Sequence, residues 1–236
     1  MPAATPPTGR ARRALTSLGS PLARRGRAAF AAVLRHRPDG FEFEGRPYEY
    51  FAHPYNETWR NERAVEIPIA LGALDARGGG RVLEVGNVLV HYGRSGHDVV
   101  DKYERASNRV VQADIVDFMP PVAYDLIVAI STLEHVGLDE DVKDPAKPRR
   151  AVEHMASLLA PGGELLVTIP LGYNAAVDSD LETGALGFDE VGHLRRLDRL
   201  NRWSQASALE VAGTAYGHPF AAANALAVAR RRAVPR

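Results

Sequence analysis

The sequence contains no cysteine, which excludes disulfides, thiolate metal sites and a cysteine nucleophile. It also lacks any apolar run near the ~18 residues that a membrane-spanning helix requires. No continuous apolar stretch precedes the early arginines, so a secretory signal is not expected. Net charge is missing too, since 29 Lys and Arg residues balance 29 Asp and Glu. The balance is uneven along the chain. Residues 1–40 hold eight arginines and a single acid, Asp39, which leaves 21 basic against 28 acidic residues in the body. An acidic body repels phosphate backbones, so nucleic-acid binding is not expected as its main task.

What is present is ordinary for a soluble globular protein: 236 residues, 45% hydrophobic and 25% charged, enough for one sizeable core. Residues 1–40 read as a disordered basic arm, rich in Pro, Ala, Thr, Ser, Gly and Arg at its start. Within it, 22–37 has the pattern of a weak amphipathic helix. That helix is a solvated tail, a weak contact to an acidic membrane surface or partner, or part of an organelle transit segment. Pro38-Asp39-Gly40 signals a turn and the start of the body at 41.

The body divides into an aromatic-rich cap, 41–80, and a sheet core, 81–236. The cap contains the run Tyr48 to Arg63 and a helix predicted over 61–74; it is expected to form part of an acceptor pocket or lid, or to brace the arm. Apolar strands follow at 81–85, 98–101, 109–113, 124–130 and 164–169, with a helix at 151–159. A second helix is predicted over 194–203, with Leu194, Leu197 and Leu200 inward and Arg195, Arg196, Arg199 and Arg202 outward, where the arginines could meet an anionic acceptor. Late strands are predicted near 209–216 and 223–230. Strands that alternate with helices imply an α/β fold: a doubly wound, mostly parallel seven-stranded sheet with helices on both faces.

In such a sheet ligands bind beyond the carboxyl ends of the strands. The residues there are Glu84, Gly86 and Asn87 after the first strand, Asp101 after the second, Asp114 and Ile115 after the third, and Ser131 to His135 after the fourth. Gly86 lets backbone approach a ligand, a carboxylate such as Asp101 can accept both hydroxyls of a ribose, and Asp114 with Ile115 suits an adenine edge. The segments RVLEVGNVLVHYG, DVVDKYE, VVQADIVDF, YDLIVAISTLEHVG and LLAPGGELLVTIP, in this order over about 80–170, resemble the class I S-adenosylmethionine-dependent methyltransferases. Here Gly86 is the one glycine in place in the first motif, which in that family carries several; the next is Gly93.

The resemblance implies a Rossmann-like methyltransferase with S-adenosyl-L-methionine as cofactor. Gly86 and Asn87 would lie against its methionine part, with Glu84 and the Ser131 carbonyl orienting its ammonium group. Asp101 would hold the ribose, and Asp114 with Ile115 the adenine. His135 is the candidate general base, oriented by Glu134, for O-methylation of a small-molecule or sugar-type acceptor. The acids 139–141 beside them are a solvated loop or, with Glu134 and His135, a divalent-metal cluster. A cytoplasmic location is expected. Two readings compete: a non-catalytic scaffold on the same sheet, and a nicotinamide-dependent oxidoreductase. The latter needs a Gly-x-Gly-x-x-Gly turn that 86–91 does not supply.

Overall fold

The computed structural model describes residues 40–107 and 109–234; the arm and its predicted helix lie outside them. The described chain opens with a hairpin, β1 (Gly40–Phe43) and β2 (Arg46–Glu49). Its turn, Glu44-Gly45, has φ of 53° and 71°, the left-handed pair that suits strand twist in a two-residue hairpin. Helix α1 (Arg63–Ala76) follows. Proline at position 68 has no N–H for the Ala64 carbonyl, and the Phe51 N–H donates to that carbonyl instead, at 2.9 Å. The aromatic segment before α1 is thereby docked to the helix.

Eight strands form the central sheet: β3 (Val82–Val85), β4 (Asp98–Asp101), β5 (Val110–Gln112), β6 (Tyr124–Ile130), β7 (Leu159–Pro170), β8 (Glu190–Arg196), β9 (Trp203–Ala206) and β10 (Ala225–Arg232). Their order is β5-β4-β3-β6-β7-β10-β8-β9. The first five are parallel, while β10 runs antiparallel to β7 and β8, and β9 antiparallel to β8. Six strands therefore point one way. The order reverses at β3, which places a crevice beyond its carboxyl end.

Strand alternation decides what each face buries. Leu126, Val128 and Ile130 of β6 pack with Val65, Ile67 and Ile69 of α1 and with Phe41 and Phe43 of the hairpin. Ile127 and Ala129 pack on the opposite face with Val152 and Met155 of α2 (Lys147–Ser157) and Val177 of α3 (Ala175–Glu182). The fold is thus α/β and Rossmann-like, with helices on both faces. Among the described residues no α-helix links β3 to β4 or β4 to β5, and no helix is long and apolar enough to cross a membrane.

The late segments correct the sequence reading. The stretch 194–203, expected as a helix, is the end of β8, a turn and the start of β9; these two strands, in place of the one expected at 209–216, make the sheet eight-stranded rather than seven-stranded. Asp198 makes the turn: its Oδ1 accepts from the Leu200 N–H at 2.9 Å, and Asn201 sits at φ 59°. Asp and Asn side chains stabilise such turns and tolerate left-handed backbone, and this overrides the i, i+3 spacing of the leucines. Leu197, expected to face inward, is 45% exposed. The segment 209–216 is not a strand either. It begins in the short helix α4 (Ala208–Val211), started by a capping box of Ser207 and Glu210.

Candidate functional site

The β3 turn sets the site. Gly86 has φ 84°, and a Cβ built there would stand 2.5 Å from Thr132 Oγ1. Only glycine meets both conditions at low cost. Glu84, fully buried, faces the α1 side of the sheet. Its Oε1 accepts from the Val88 and Leu89 N–H groups, each at 2.8 Å, and its Oε2 lies 2.7 Å from His97 Nε2. All its acceptor strength in view goes to holding the turn, and Glu84 does not line the cavity beside it.

That cavity, of about 340 Å³, lies beyond β3, β4, β5 and β6 and is lined by Gly86, Asn87, Asp101, Asp114, Ile115, Ser131 and His135, among others. The structure therefore gathers seven of the nine residues singled out in the sequence. The Asp101 Oδ1 accepts from the Tyr103 and Glu104 N–H groups at 2.8 and 2.7 Å, whereas Oδ2 accepts only a long bond, 3.3 Å, from the Asn87 N–H. Asn87 Nδ2 donates to Glu104 Oε2 at 2.5 Å, and its buried Oδ1 has no partner. Ser131, at φ 39°, donates its hydroxyl to Glu66 Oε1 at 2.6 Å on the α1 side of the sheet.

At the far end of the cavity stand charges that the sequence reading missed. Lys147 and Lys102 reach Asp114 Oδ2 at 2.5 and 2.9 Å, and both also pair with Glu140. Burial pushes the Asp114 pKa up, but the hydrogen bonds from Lys147 and Lys102 outweigh it and hold the carboxyl below its ordinary value. These partners lie up to 38 positions apart, so no local pattern announces them.

Just past β6, His135 lines the cavity and its Nδ1 lies 2.5 Å from Asp139 Oδ2, which also accepts from the Tyr173 hydroxyl at 2.8 Å. The Tyr173 ring packs edge-on against both His135 and Tyr216. The hydrogen bonds from His135 and Tyr173 hold the Asp139 pKa below its ordinary value. His135 and Asp139 are four positions apart, a spacing that brings side chains together on a helical turn and was the available signal for this partner. Glu134 is 1% exposed, with Oε1 3.6 Å from His135 Nε2 and Oε2 unpartnered. Burial in the company of Glu66 pushes its pKa well up, toward the protonated form. Glu134 is outside the cavity lining, and it is Asp139 that is hydrogen-bonded to the His135 ring. No group of three or more His, Asp or Glu suited to a metal ion occurs among the described residues.

The chain matches the family model described as methyltransferase domain over residues 55–214. A search of curated proteins finds no match. Among solved structures it is similar to the N-methyltransferase NodS from Bradyrhizobium japonicum WM9 in complex with S-adenosyl-L-homocysteine, at 19% identity over 73% of this chain and 88% of that one, TM-score 0.46. It is also similar to CalS10, an amino pentose methyltransferase from Micromonospora echinaspora with S-adenosylmethionine bound (22% identity, 43% and 48% covered, TM-score 0.33). A third is an S-adenosylmethionine-dependent methyltransferase from Archaeoglobus fulgidus (14% identity, 75% and 98% covered, TM-score 0.45). With a family model matched over more than half its length and a Rossmann-like sheet opening on this cavity, the chain belongs to the class I S-adenosylmethionine-dependent methyltransferase family.

Proposed function

We propose that the enzyme methylates a hydroxyl group on a small-molecule or sugar-type acceptor, with His135 as general base and Asp139 as the residue that orients it. When bound, S-adenosylmethionine supplies the electrophilic methyl group. The residues present fit that cofactor. Asn87 Oδ1, buried without a partner, is an acceptor suited to its ammonium group, and Asp101 Oδ2 has capacity left for ribose hydroxyls. Asp114 and Ile115 border the adenine end, and Ser131 the methionine end. Glu84 acts one step back, by fixing the turn that carries Gly86 and Asn87.

The observation that carries the base assignment is the His135–Asp139 contact at the edge of the cofactor cavity. A carboxylate on Nδ1 fixes the tautomer with the proton there, which leaves Nε2 as the basic nitrogen. Glu134 Oε1, at 3.6 Å, is beyond hydrogen-bond reach of Nε2, so that nitrogen is free to take the proton of an acceptor hydroxyl. Asp139 then stabilises the imidazolium.

The reading includes the region 41–236 as one methyltransferase domain, with 1–40 as an appended arm. It places the enzyme in the cytoplasm with a non-nucleic-acid acceptor, supported by the acidic balance of the body. Incubating the protein and labelled S-adenosylmethionine with a metabolite extract should give a labelled methyl ether or ester. His135→Ala should lower the rate by about 10²–10⁴, the range for loss of a general base, while S-adenosylhomocysteine affinity stays within twofold. Label on nitrogen, or a full rate in His135→Ala, would refute the assignment.

A further inference from the structure

A second cavity lies beyond β8, on the carboxyl-end side of the sheet. It has a volume of about 560 Å³, and Arg60, Arg196, Arg199, Asn56 and Phe220 are among its lining residues. Arg196 ends β8 and is only 8% exposed. Its Nε donates to the Asp198 carbonyl at 3.1 Å and its Nη1 to the Ala221 carbonyl at 2.7 Å, with the guanidinium carbon 5.1 Å from the Phe220 ring centroid. These contacts fix the guanidinium plane without neutralising it.

The neighbouring carboxylates are committed elsewhere. Asp198 pairs with Arg202 at 2.5 Å, Glu57 pairs with Arg60 at 2.9 Å on the exposed rim, and Glu62 Oε2 accepts from the Ala223 N–H at 3.0 Å. Burial, together with the charge of Glu66, pushes the Glu62 pKa up from its ordinary value. Among the described residues Arg196 has no carboxylate within ion-pair distance, and its Nη2 makes no hydrogen bond and is not sealed from solvent. A buried cation without a counter-ion is costly unless one is supplied; burial accordingly pulls the Arg196 pKa below its ordinary value.

The rim is built rather than incidental. Six non-glycine residues of the described chain have left-handed φ, and three of them, Asn56, Glu57 and Ala222, line this cavity. Asn61 Nδ2 holds the Asn56 carbonyl at 2.8 Å, and Asn201 Nδ2 ties the Asn61 carbonyl to the β8–β9 turn at 2.7 Å. Backbone strain of this kind persists where surrounding structure imposes it, and it clusters at ligand sites.

We propose that this cavity binds a phosphate group of the methyl acceptor, so that the substrate is a phosphorylated hydroxyl compound. Among the residues that line the cavity, three guanidiniums stand against one carboxylate, that of Glu57, and this excess of two positive charges matches a phosphate monoester near neutral pH. Planar guanidiniums bind such a group through paired N–H donors. The volume exceeds what a bare anion fills, and leaves room for the body that carries it. A short chain of contacts joins this cavity to the reaction site: the Tyr173 ring packs on His135 at 4.7 Å and on Tyr216 at 5.1 Å, and next to Tyr216 the Gly217 N–H donates to the carbonyl of Ala222, on the cavity rim, at 2.8 Å. The inference rests on the hydroxyl-transfer reading above.

The test has two parts. Inorganic phosphate is titrated at low ionic strength, with chloride as control, into wild type, Arg60→Ala/Arg199→Ala and Arg196→Gln. Wild type should bind it, the exposed double variant should bind at least tenfold more weakly, and S-adenosylhomocysteine affinity should be unchanged in that variant. In parallel, the metabolite extract is treated with phosphatase before the labelling reaction, which should abolish methyl incorporation. Absence of phosphate binding, or equal affinity in the double variant, overturns the site. Labelling that survives phosphatase overturns the acceptor assignment and leaves the hydroxyl-transfer reading standing. Label found on nitrogen does the reverse, since the phosphate titration and the phosphatase dependence are read independently of the atom methylated.

Discussion

Replacing Gly86 with alanine puts the geometry of the β3 turn to a quantitative test. At φ 84° an L-residue carries a left-handed penalty of about 1–2 kcal/mol. The new Cβ would also meet Thr132 Oγ1 at 2.5 Å, Cγ2 at 3.1 Å and Cβ at 3.4 Å, so rotating the threonine exchanges one close contact for another. Relieving that overlap costs about 1–3 kcal/mol. Alanine recovers about 0.4–1 kcal/mol by restricting the unfolded chain. The net expectation is a destabilisation of about 2–4 kcal/mol in urea unfolding. Thr132→Ala alone loses the hydroxyl bond to the Ile130 carbonyl, about 1 kcal/mol. In the double variant the overlap is gone and the backbone penalty remains, so the pair should show a favourable coupling of about 1–2 kcal/mol. Strict additivity, or a Gly86→Ala protein within 0.5 kcal/mol of wild type, would show that the turn does not hold the conformation described; the 0.5 kcal/mol limit is the usual scatter for sites that do not interact.

Glu134 makes stability depend on pH in a defined direction. Its folded pKa is raised above the ordinary 4.5, so the stability tied to its proton is fully present below that value and declines as pH rises toward the folded one. Glu134→Gln should flatten the decline between pH 4.5 and neutrality, measured by urea unfolding at several pH values; an unchanged slope contradicts the burial argument. His97→Ala removes one of three partners of the buried Glu84 carboxylate and should cost about 1–3 kcal/mol; a wild-type unfolding midpoint would show that the pair does not support the turn.

The parallel half of the sheet was legible because its strands are short apolar runs bounded by turn residues, as in Leu126–Ile130. The cofactor-side positions followed from it, since they sit at or just beyond the carboxyl ends of those strands. The antiparallel half was not legible: leucines at 194, 197 and 200 have helical spacing, and nothing in that spacing shows that Asp198 and Asn201 bend the chain back on itself. The hairpin at 40–49 was equally hidden, because its Glu44-Gly45 turn is two residues long and its aromatics read as cap. Side-chain partnerships were hardest to see. Ser131 meets Glu66 across 65 positions and Asp114 meets Lys147 across 33, and Glu84 faces a histidine 13 positions on in an irregular loop. Arg196 read as one of four outward-facing arginines on a helix, but strand geometry turns it inward and leaves Arg195 exposed.

The most direct measurement is a crystal structure of the protein with S-adenosylhomocysteine. The ligand is expected beyond β3, with its amino-acid end at Asn87, its ribose at Asp101 Oδ2 and its base beside Ile115, and with His135 facing the sulfur from the acceptor side. Density at another location, or none at millimolar ligand, would contradict the account.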